Sequence, residues 1–242
     1  MKDLHSKHTI EPVAIIASPY KEKFGTPRQP GLVPSTQFTI ELLPPYNHPE
    51  ALRGLENYSH IWLIFQFHQT QQQGWKPTVR PPRLGGNKRL GVFATRSSFR
   101  PNNMGLSVAK IERLTNDGHI IVSGLDVVDS TPVFDIKPYI PYSDAIGNAT
   151  SSFAATAPTS RLTVNWHKIE ENQTAKGLAQ SLKHTIEDIL KLDPRPAYKQ
   201  DMADEKVYKM DFQEWTISWS VEDDIVYVLQ IANRPSRKDS AD

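Results

Sequence analysis

Between residues 12 and 139 the sequence contains seven short runs rich in β-branched and aromatic residues, with a single helical-looking segment among them. The runs cover residues 12–18, 36–42, 59–67, 89–95, 106–114, 119–128 and 132–139. Such runs, partly alternating with polar residues and separated by Pro- and Gly-rich connectors, are typical of β-strands. The helical exception is residues 48–58, where Pro49 suits a first helical turn. Many short strands and one minor helix predict a β-barrel and not an alternating parallel α/β sheet.

A second part of the chain follows residues 148–160, which are small, polar and nearly uncharged and therefore predict a linker. Beyond it, the pattern predicts a strand, a helix that starts after Asn172, a turn that ends this helix, and two strands of a hairpin. These elements cover residues 161–166, 178–190, 193–196, 214–220 and 224–231.

The predicted fold class is thus mainly β with an α+β C-terminal part. Its parts are a flexible N-terminus, a single-sheet β-barrel domain, a linker, a small α+β domain and a flexible tail, at residues 1–9, 10–147, 148–160, 161–235 and 236–242.

Several kinds of chemistry are excluded by missing motifs. The chain has no cysteine, which removes disulfides, thiolate nucleophiles and cysteine-ligated zinc. It contains no GxGxxG or GxxxxGK[ST] motif, and its eight histidines form no HExxH motif. The longest apolar runs, 13–17 and 61–65, are far shorter than the roughly 20 residues of a membrane helix. We therefore expect a cytoplasmic protein with no metal, no membrane segment and no Rossmann cofactor site.

The charge distribution is uneven, although the formal net charge of the 242 residues is only +1. Between Asn57 and Ile111 there is no Asp or Glu. The basic residues of this stretch are Lys76, Arg80, Arg83, Lys88, Arg89, Arg96, Arg100 and Lys110. A positive region of this kind favours an anionic partner such as RNA, and the alternative is a solvated loop that happens to be basic.

Six stretches of the sequence resemble, in order, the TrmO family of bacterial tRNA methyltransferases, also called TsaA-like proteins. They are SPYKEKFGTPRQPGLV (18–33), FQFHQT (65–70), GWKPTVRPPRLGG (74–86), GVFATRSSFRPN (91–102), LDVVDSTPVFDIKPY (125–139) and DPRPAY (193–198). The resemblance implies a TsaA-like β-barrel, S-adenosylmethionine as cofactor, and a tRNA partner. It further implies methylation of N6 of threonylcarbamoyl-adenosine next to the anticodon, and a homodimer.

The resemblance also assigns candidate site residues. The implied cofactor contacts are Pro27, Arg28, Gln29, His68, Gln69, Arg96, Leu106, Gly124, Leu125, Asp126 and Val127. Among them, arginines suit the carboxylate of S-adenosylmethionine, and aspartates such as Asp126 and Asp129 suit its cationic groups. The predicted tRNA contacts are Arg80, Arg83, Lys88, Arg89, Arg100 and Lys137, with Arg100 or Lys137 as partner of the threonyl carboxylate.

Methyl transfer to N6 would be helped by a group that takes the N6 proton. The candidates are Asp126, Asp129, His68 and Asp135, and the sequence does not rank them. Two positions depart from the family pattern: Asn103 stands where a second proline is common, and Ser130 stands where glycine is common. If position 130 needs a positive φ, serine there is strained or the loop differs.

Two other functions stay open at this point. The chain could be a non-catalytic RNA-binding module that stacks bases on exposed aromatic residues such as Trp62, Trp75, Phe93 and Phe99. It could instead methylate a substrate other than tRNA, in which case the basic stretch beyond the pocket would have no role in activity.

Overall fold

The structure, a computed structural model, describes residues 7–166, 178–200 and 205–235. In the first part, six strands pair antiparallel in one sheet: β1 (Ala14–Ala17), β2 (Gln37–Leu42), β3 (His60–Gln66), β6 (Met104–Leu114), β7 (His119–Ser123) and β8 (Thr131–Pro138). Their order is β1-β2-β7-β6-β3-β8, and β8 pairs back with β1, so the sheet is closed. Two-residue strands β4 (Thr78–Val79) and β5 (Leu90–Gly91) form a separate pair.

The interior of the closed sheet is filled by aliphatic side chains. Along β3 buried and half-buried residues alternate, as period-2 side-chain geometry requires. Ile16, Ile40, Ile61, Leu63 and Val133 are each fully buried. A six-stranded sheet packed in this way has no room for a ligand inside, because side chains fill small barrels. Functional side chains must therefore lie at the strand ends.

The loops that carry the predicted site residues lie at one end of the closed sheet. The pairing register places Ala17 of β1 opposite Thr39, Gln37 opposite Ser123, and Gln66 opposite Met104. Consequently the loops 18–36, 67–103 and 124–130 all emerge at this end, which we call the site rim.

The C-terminal part is a second sheet with one main helix. It comprises β9 (Thr163–Asn165), α2 (Gln180–Lys191), β10 (Tyr208–Phe212), β11 (Trp215–Glu222) and β12 (Ile225–Asn233), with strand order β10-β11-β12-β9. A short helix α1 (Pro141–Asp144) precedes it in the chain.

The rim loop 18–36 packs against this second sheet, and the two parts share one hydrophobic cluster. The ring of Phe24 stacks on Tyr208 and Trp219, and Tyr20 meets Phe212 edge to face at 5.3 Å. The backbone N–H of Gln213 donates to the carbonyl of Pro19 at 2.7 Å. The C-terminal part therefore holds a loop that belongs to the rim.

Most predicted strands and the main helix are confirmed, but three predictions hold only in part. Residues 48–58 form two 3₁₀ turns and no α-helix, because Gly54 interrupts them with φ +89°. Residues 89–95 form β5 and a 3₁₀ turn, since Arg100 ties two carbonyls of this segment together. The predicted strand 119–128 stops at Ser123, because Gly124 has φ +75°.

Strand β10 is an omission of the sequence analysis. Its buried residues Tyr208, Met210 and Phe212 alternate with more exposed ones, and this period-2 pattern was the available signal. Asn172, residues 1–6 of the predicted N-terminal tail and the whole predicted tail 236–242 lie outside the described residues.

Candidate active site

The half-buried acid Asp126 lies on the site rim and is influenced by the charge of Arg96, an arginine of another loop. Asp126 accepts a hydrogen bond from the hydroxyl of Ser107 at 2.7 Å. Burial raises the pKa of Asp126, while the bond from Ser107 and the charge of Arg96 partly oppose this shift. Arg96 in turn donates to the side-chain oxygen of Gln29 at 2.8 Å. Three loops distant in sequence thus bring an acid, a cation and an amide into one cluster.

The segment 124–127 contributes mainly its backbone to this cluster. The carbonyl of Gly124 accepts from the N–H of Gly31 at 2.7 Å, and the N–H of Gly124 donates to Thr36 at 3.1 Å. The side chains of Leu125 and Val127 are 1% and 3% exposed and pack in the core. These two residues can therefore meet a ligand only through backbone atoms.

Both carboxylate oxygens of Asp129, the second predicted acid, are engaged by donors of the loop 18–36. Its Oδ1 accepts from the backbone N–H of Ser18 at 2.9 Å, and its Oδ2 pairs with Lys21 Nζ at 2.9 Å. A carboxylate held by two donors stabilises the crossing of the loops 18–36 and 124–130. This geometry favours the loop-structuring role of Asp129 over the role of a free base.

His68 begins a 3₁₀ helix, His68–Gln73, directly after β3. Burial lowers the pKa of His68, although the backbone of Gln66 and the carboxylate of Asp129 oppose this shift. Its Nδ1 is buried and has no hydrogen-bond partner of normal geometry within the described residues. The imidazole is consequently held neutral near Asp129, and a neutral imidazole can accept a proton.

The remaining predicted cofactor contacts line the same rim. Gln69 is exposed on the 3₁₀ helix that His68 begins, and Pro27 is half-buried beside Arg28. Leu106 is 53% exposed on β6, which is unusual for a leucine next to a filled sheet interior. Arg28 donates through Nη2 to the carbonyl of Arg195 at 3.2 Å, so it links the rim to the C-terminal part.

Arg100 is occupied by its own loop. Its guanidinium donates to the carbonyls of Val92 and Thr95 at 3.3 and 2.7 Å and lies 5.9 Å from the ring of Phe93. Asn103 closes the same loop with φ +48°, a conformation that proline cannot adopt. The loop therefore differs from one that carries proline at this position.

Asp135 and Lys137 lie away from the rim cluster. Their side chains pair with each other at 2.6 Å. Asp135 lines an open cavity together with Val13, Leu42 and Pro138, which mark the opposite strand ends. Strand β8 is eight residues long and runs from the site rim to the opposite end of the closed sheet. Asp135 and Lys137 lie in its second half and are therefore distant from the rim.

The basic stretch surrounds the β4 and β5 pair as exposed loops. Arg80, Arg83, Lys88 and Arg89 are all exposed. Arg83 donates to the carbonyl of Thr156 at 2.5 Å, and Arg89 donates to the hydroxyl of Thr78 at 3.1 Å. These contacts fix two of the arginines without a carboxylate partner among the residues that the structure describes, which leaves their charge available to an anion.

Exposed aromatic rings accompany these charges. Phe93 is 76% and Trp75 56% exposed, and Lys76 lies 4.2 Å from the ring of Phe99. Trp62 is different, because its indole N–H donates to Asp144 at 2.8 Å and its ring contacts Tyr139. Phe93 and Trp75, and not Trp62, are thus the rings available for stacking.

Two residues of the site were missed by the sequence analysis. Ser107 holds Asp126, and its only sequence signal is a polar residue at a buried position of a strand. Gly31 holds the 124–127 segment, and a glycine in a Pro-rich loop was the available signal; its φ of +78° is a conformation that suits glycine.

Within the described ranges, no helix is long and apolar enough to cross a membrane. The same residues contain no group of three His, Cys, Asp or Glu side chains that could hold a metal ion.

The fold and the site define a class: mainly β proteins whose closed sheet carries a ligand site on its rim, bordered by basic loops that suit a polyanion. Two family models of tRNA methyltransferase domains match this sequence. The tRNA-methyltransferase O N-terminal domain matches residues 15–145, and the TrmO C-terminal domain matches residues 159–234. The chain belongs to the TrmO family.

Relatives cover nearly the whole chain. The Escherichia coli K12 protein named tRNA (adenine(37)-N6)-methyltransferase is 45% identical over 90% of this chain and 95% of its own length. RcsF of Pseudomonas aeruginosa, named as a candidate S-adenosylmethionine-dependent methyltransferase, is 42% identical over 93% and 98%. A crystal structure of TrmO from Pseudomonas aeruginosa matches with a TM-score of 0.76 and 36% identity, over 94% of this chain and 99% of that chain.

Proposed function

We propose that the protein is an S-adenosylmethionine-dependent tRNA methyltransferase that methylates N6 of threonylcarbamoyl-adenosine next to the anticodon. The single observation that carries this proposal is the rim cluster of Asp126, Arg96 and Gln29, which adjoins loops rich in unpaired cations. A half-buried acid near an arginine suits a small zwitterionic ligand, and the basic loops suit a polyphosphate. The names of the E. coli and P. aeruginosa relatives support the same reaction and cofactor.

The residues present fit this cofactor. Asp126 supplies the anion that its cationic groups need, Arg28 and Arg96 supply donors for its carboxylate, and exposed Leu106 supplies an apolar surface. The 124–127 backbone adds polar groups, and Pro27 and Gln69 complete the lining. S-Adenosylmethionine provides a methyl group on a positively charged sulfur. The protein's own tasks are to orient the acceptor, exclude water and take one proton.

We propose that His68 accepts the N6 proton during methyl transfer and that Asp126 binds the cofactor. Burial keeps the imidazole of His68 neutral, and it lies on the rim near Asp129. Asp126 is already held by Ser107 and faces Arg96, an arrangement suited to binding. Asp129 is assigned to loop structure, because both of its oxygens are engaged.

On the RNA side, the basic loops would contact phosphates. Arg80, Arg83, Lys88 and Arg89 would position the tRNA, with Phe93 and Trp75 as stacking surfaces. The sequence predicts Arg100 or Lys137 as the partner of the threonyl carboxylate. We assign this role to Arg100, which lies on a rim loop, because Lys137 lies on the far half of β8, away from the rim cluster.

Single-turnover methylation at saturating cofactor, paired with a cofactor titration, tests these roles. His68→Gln should lower turnover about 10²-fold to 10⁴-fold with little change in cofactor affinity. Asp126→Asn should weaken cofactor binding and largely preserve saturated turnover, since that contact is equal in ground and transition states. If the two variants show the opposite behaviour, the assigned roles are exchanged.

The alternatives give different thermal-shift results. A ligand that binds only the native state raises the melting temperature. S-Adenosylhomocysteine and tRNA should each raise it here; tRNA alone would do so for a non-catalytic RNA-binding module, and S-adenosylhomocysteine alone for a methyltransferase of another substrate.

The finer structural and cellular expectations belong to the same proposal. The closed sheet would be the TsaA-like barrel, and residues 10–147 and 161–235 would be its two domains. The active form would be a cytoplasmic homodimer. Sedimentation of the full chain gives the oligomeric state directly.

A further inference from the structure

A buried ion pair forms the turn that follows α2. Arg195 donates through Nε and Nη2 to the two carboxylate oxygens of Asp193, each at 2.8 Å. The two side chains are 3% and 0% exposed. Asp193 has φ +52°, in the left-handed region that aspartate enters at some cost. The turn thus contains a desolvated, bidentate pair and a strained residue within three positions.

The pair fixes the direction of one backbone carbonyl. The carbonyl oxygen of Arg195 accepts from Arg28 Nη2 at 3.2 Å and from Gln200 Nε2 at 3.3 Å. Gln200 also donates to the carbonyl of Asp193 at 2.7 Å, and its own carbonyl accepts from Arg195 at 3.2 Å. A single rigid network therefore ends on the side chain of Arg28, which is 167 positions away in sequence.

Stability alone explains this arrangement poorly. A buried ion pair is often no more stabilising than apolar residues of similar volume, because desolvation opposes the attraction. Glycine would also relieve the positive φ at position 193. What the network provides, and an apolar turn would not, is a carbonyl oriented toward a rim arginine.

We propose that Asp193, Arg195 and Gln200 are positioning residues that hold the Arg28 guanidinium in place for the cofactor carboxylate. The inference rests on the proposed function for the identity of the ligand. By this inference the C-terminal part shapes the active site directly, through the one hydrogen bond from Arg28 to Arg195, and is more than an RNA-binding addition.

A double-mutant cycle on the full chain tests this. The affinity for S-adenosylhomocysteine is measured by calorimetry for Arg28→Ala, for Asp193→Asn and for the double variant. Arg28→Ala should weaken binding on the order of 10-fold to 100-fold, as expected for one hydrogen bond to a charged group. Asp193→Asn should weaken it too, and the double variant should bind no worse than Arg28→Ala, because Asp193 acts through Arg28. Additive losses, or unchanged affinity in Asp193→Asn, would overturn the proposal.

Gln200→Ala covers the case in which Asp193→Asn does not fold. It leaves the ion pair in place and removes the bonds of the Gln200 side chain to the two turn carbonyls, together with one bond from Arg161 at 3.2 Å. Glu187→Ala is the matched control. It removes a 2.8 Å hydrogen bond from Trp166 and an ion pair with Lys191 in the same part of the chain, and Glu187 takes no part in the hydrogen bonds of the network described above. Glu187→Ala should lower the stability and leave the affinity for S-adenosylhomocysteine unchanged. Equal losses of this affinity in Gln200→Ala and Glu187→Ala would show that the network has only a structural role.

A measurement without ligand separates this proposal from the proposed function. In the free protein, amide exchange at residues 26–29 should be faster in Gln200→Ala than in wild type and in Glu187→Ala. Failure of wild type to bind S-adenosylhomocysteine would refute the proposed function. Unchanged exchange in Gln200→Ala would refute the positioning network, whatever the ligand is.

Discussion

The backbone of Gly105 lies directly against the ring of Phe65 in the closed sheet. The change of Gly105 to alanine therefore tests the packing beneath the rim. A Cβ at this position would lie 2.4 Å from two ring carbons of Phe65, its partner on β3. Carbon atoms pack best at about 3.5 to 4.0 Å, so the ring would have to move by about 1 Å or more. Phe65 is 3% exposed and meets Phe67 edge to face at 5.3 Å, which leaves little room for that movement.

The expected loss of stability follows from this overlap. Overpacking a filled core costs about 1 to 3 kcal/mol, and alanine recovers about 0.5 to 1 kcal/mol of backbone entropy relative to glycine. The centres of these two ranges give a net loss of about 1 kcal/mol, which corresponds to a melting temperature roughly 2 to 4 °C lower for a chain of this size. Because Phe67 directly precedes His68, activity should fall as well.

The assay is thermal and urea unfolding of wild type, Gly105→Ala and the control Gly91→Ala. An added Cβ at Gly91 meets no atom within 4 Å among the described residues, so this control should be close to neutral. The double variant Gly105→Ala, Phe65→Leu should regain part of the loss, since the smaller side chain vacates the contested space. Wild-type stability in Gly105→Ala, or no coupling with Phe65, would refute the packing argument.

Three further outcomes are expected. Ser130 has φ +62°, so Ser130→Gly should raise the unfolding free energy by about 1 kcal/mol in urea titrations, and a decrease would show that the serine is unstrained. Burial raises the pKa of Asp126, so ionisation of this carboxyl lowers the free energy of unfolding at any pH above the pKa of about 3.9 that aspartate has in the unfolded chain. Asp126→Asn should therefore have a higher free energy of unfolding than wild type at neutral pH. This increase should vanish at lower pH, and an increase independent of pH would contradict the raised pKa. Replacing Arg80, Arg83 and Arg89 with alanine should weaken tRNA binding and reduce its salt dependence by roughly one counterion per lost phosphate contact, whereas an unchanged slope would mark a merely solvated loop.

The sequence predicted the strands well because alternation reports which face of a strand is buried. Residues 36–42 and 59–67 match β2 and β3 to within a residue at each end. The turns were less predictable. Residues 89–95 have strand-like composition, but the guanidinium of Arg100 draws their carbonyls into a turn. A contact with a residue outside the segment decided its conformation, and no local pattern reports such a contact.

The site shows the same limit in its chemistry. Asp126 and Asp129 are three positions apart in one motif, and their chemistry gives no reason for different roles. Only the family resemblance places Asp126, and not Asp129, among the cofactor contacts. The structure separates them through partners from other strands and loops: Ser107 and Arg96 for the first, Ser18 and Lys21 for the second. Because both of its oxygens are engaged, Asp129 is assigned to holding the rim loops together. Asp126 is partly desolvated and is assigned to binding the cationic part of the cofactor.

The filled interior explains why the active site depends on loops and on the C-terminal part. A Rossmann site can use the N-terminus of a helix and a glycine-rich turn, which hold a ligand through local backbone geometry. A closed sheet packed with aliphatic side chains has no comparable element, so its ligand contacts must come from separate rim loops. Such loops need external support, and here it comes from the ion pair of Asp129 with Lys21 and from the turn that receives Arg28. By this proposal, Asp193 and Arg195 of the C-terminal part support a site whose candidate contacts lie on rim loops distant from them in sequence.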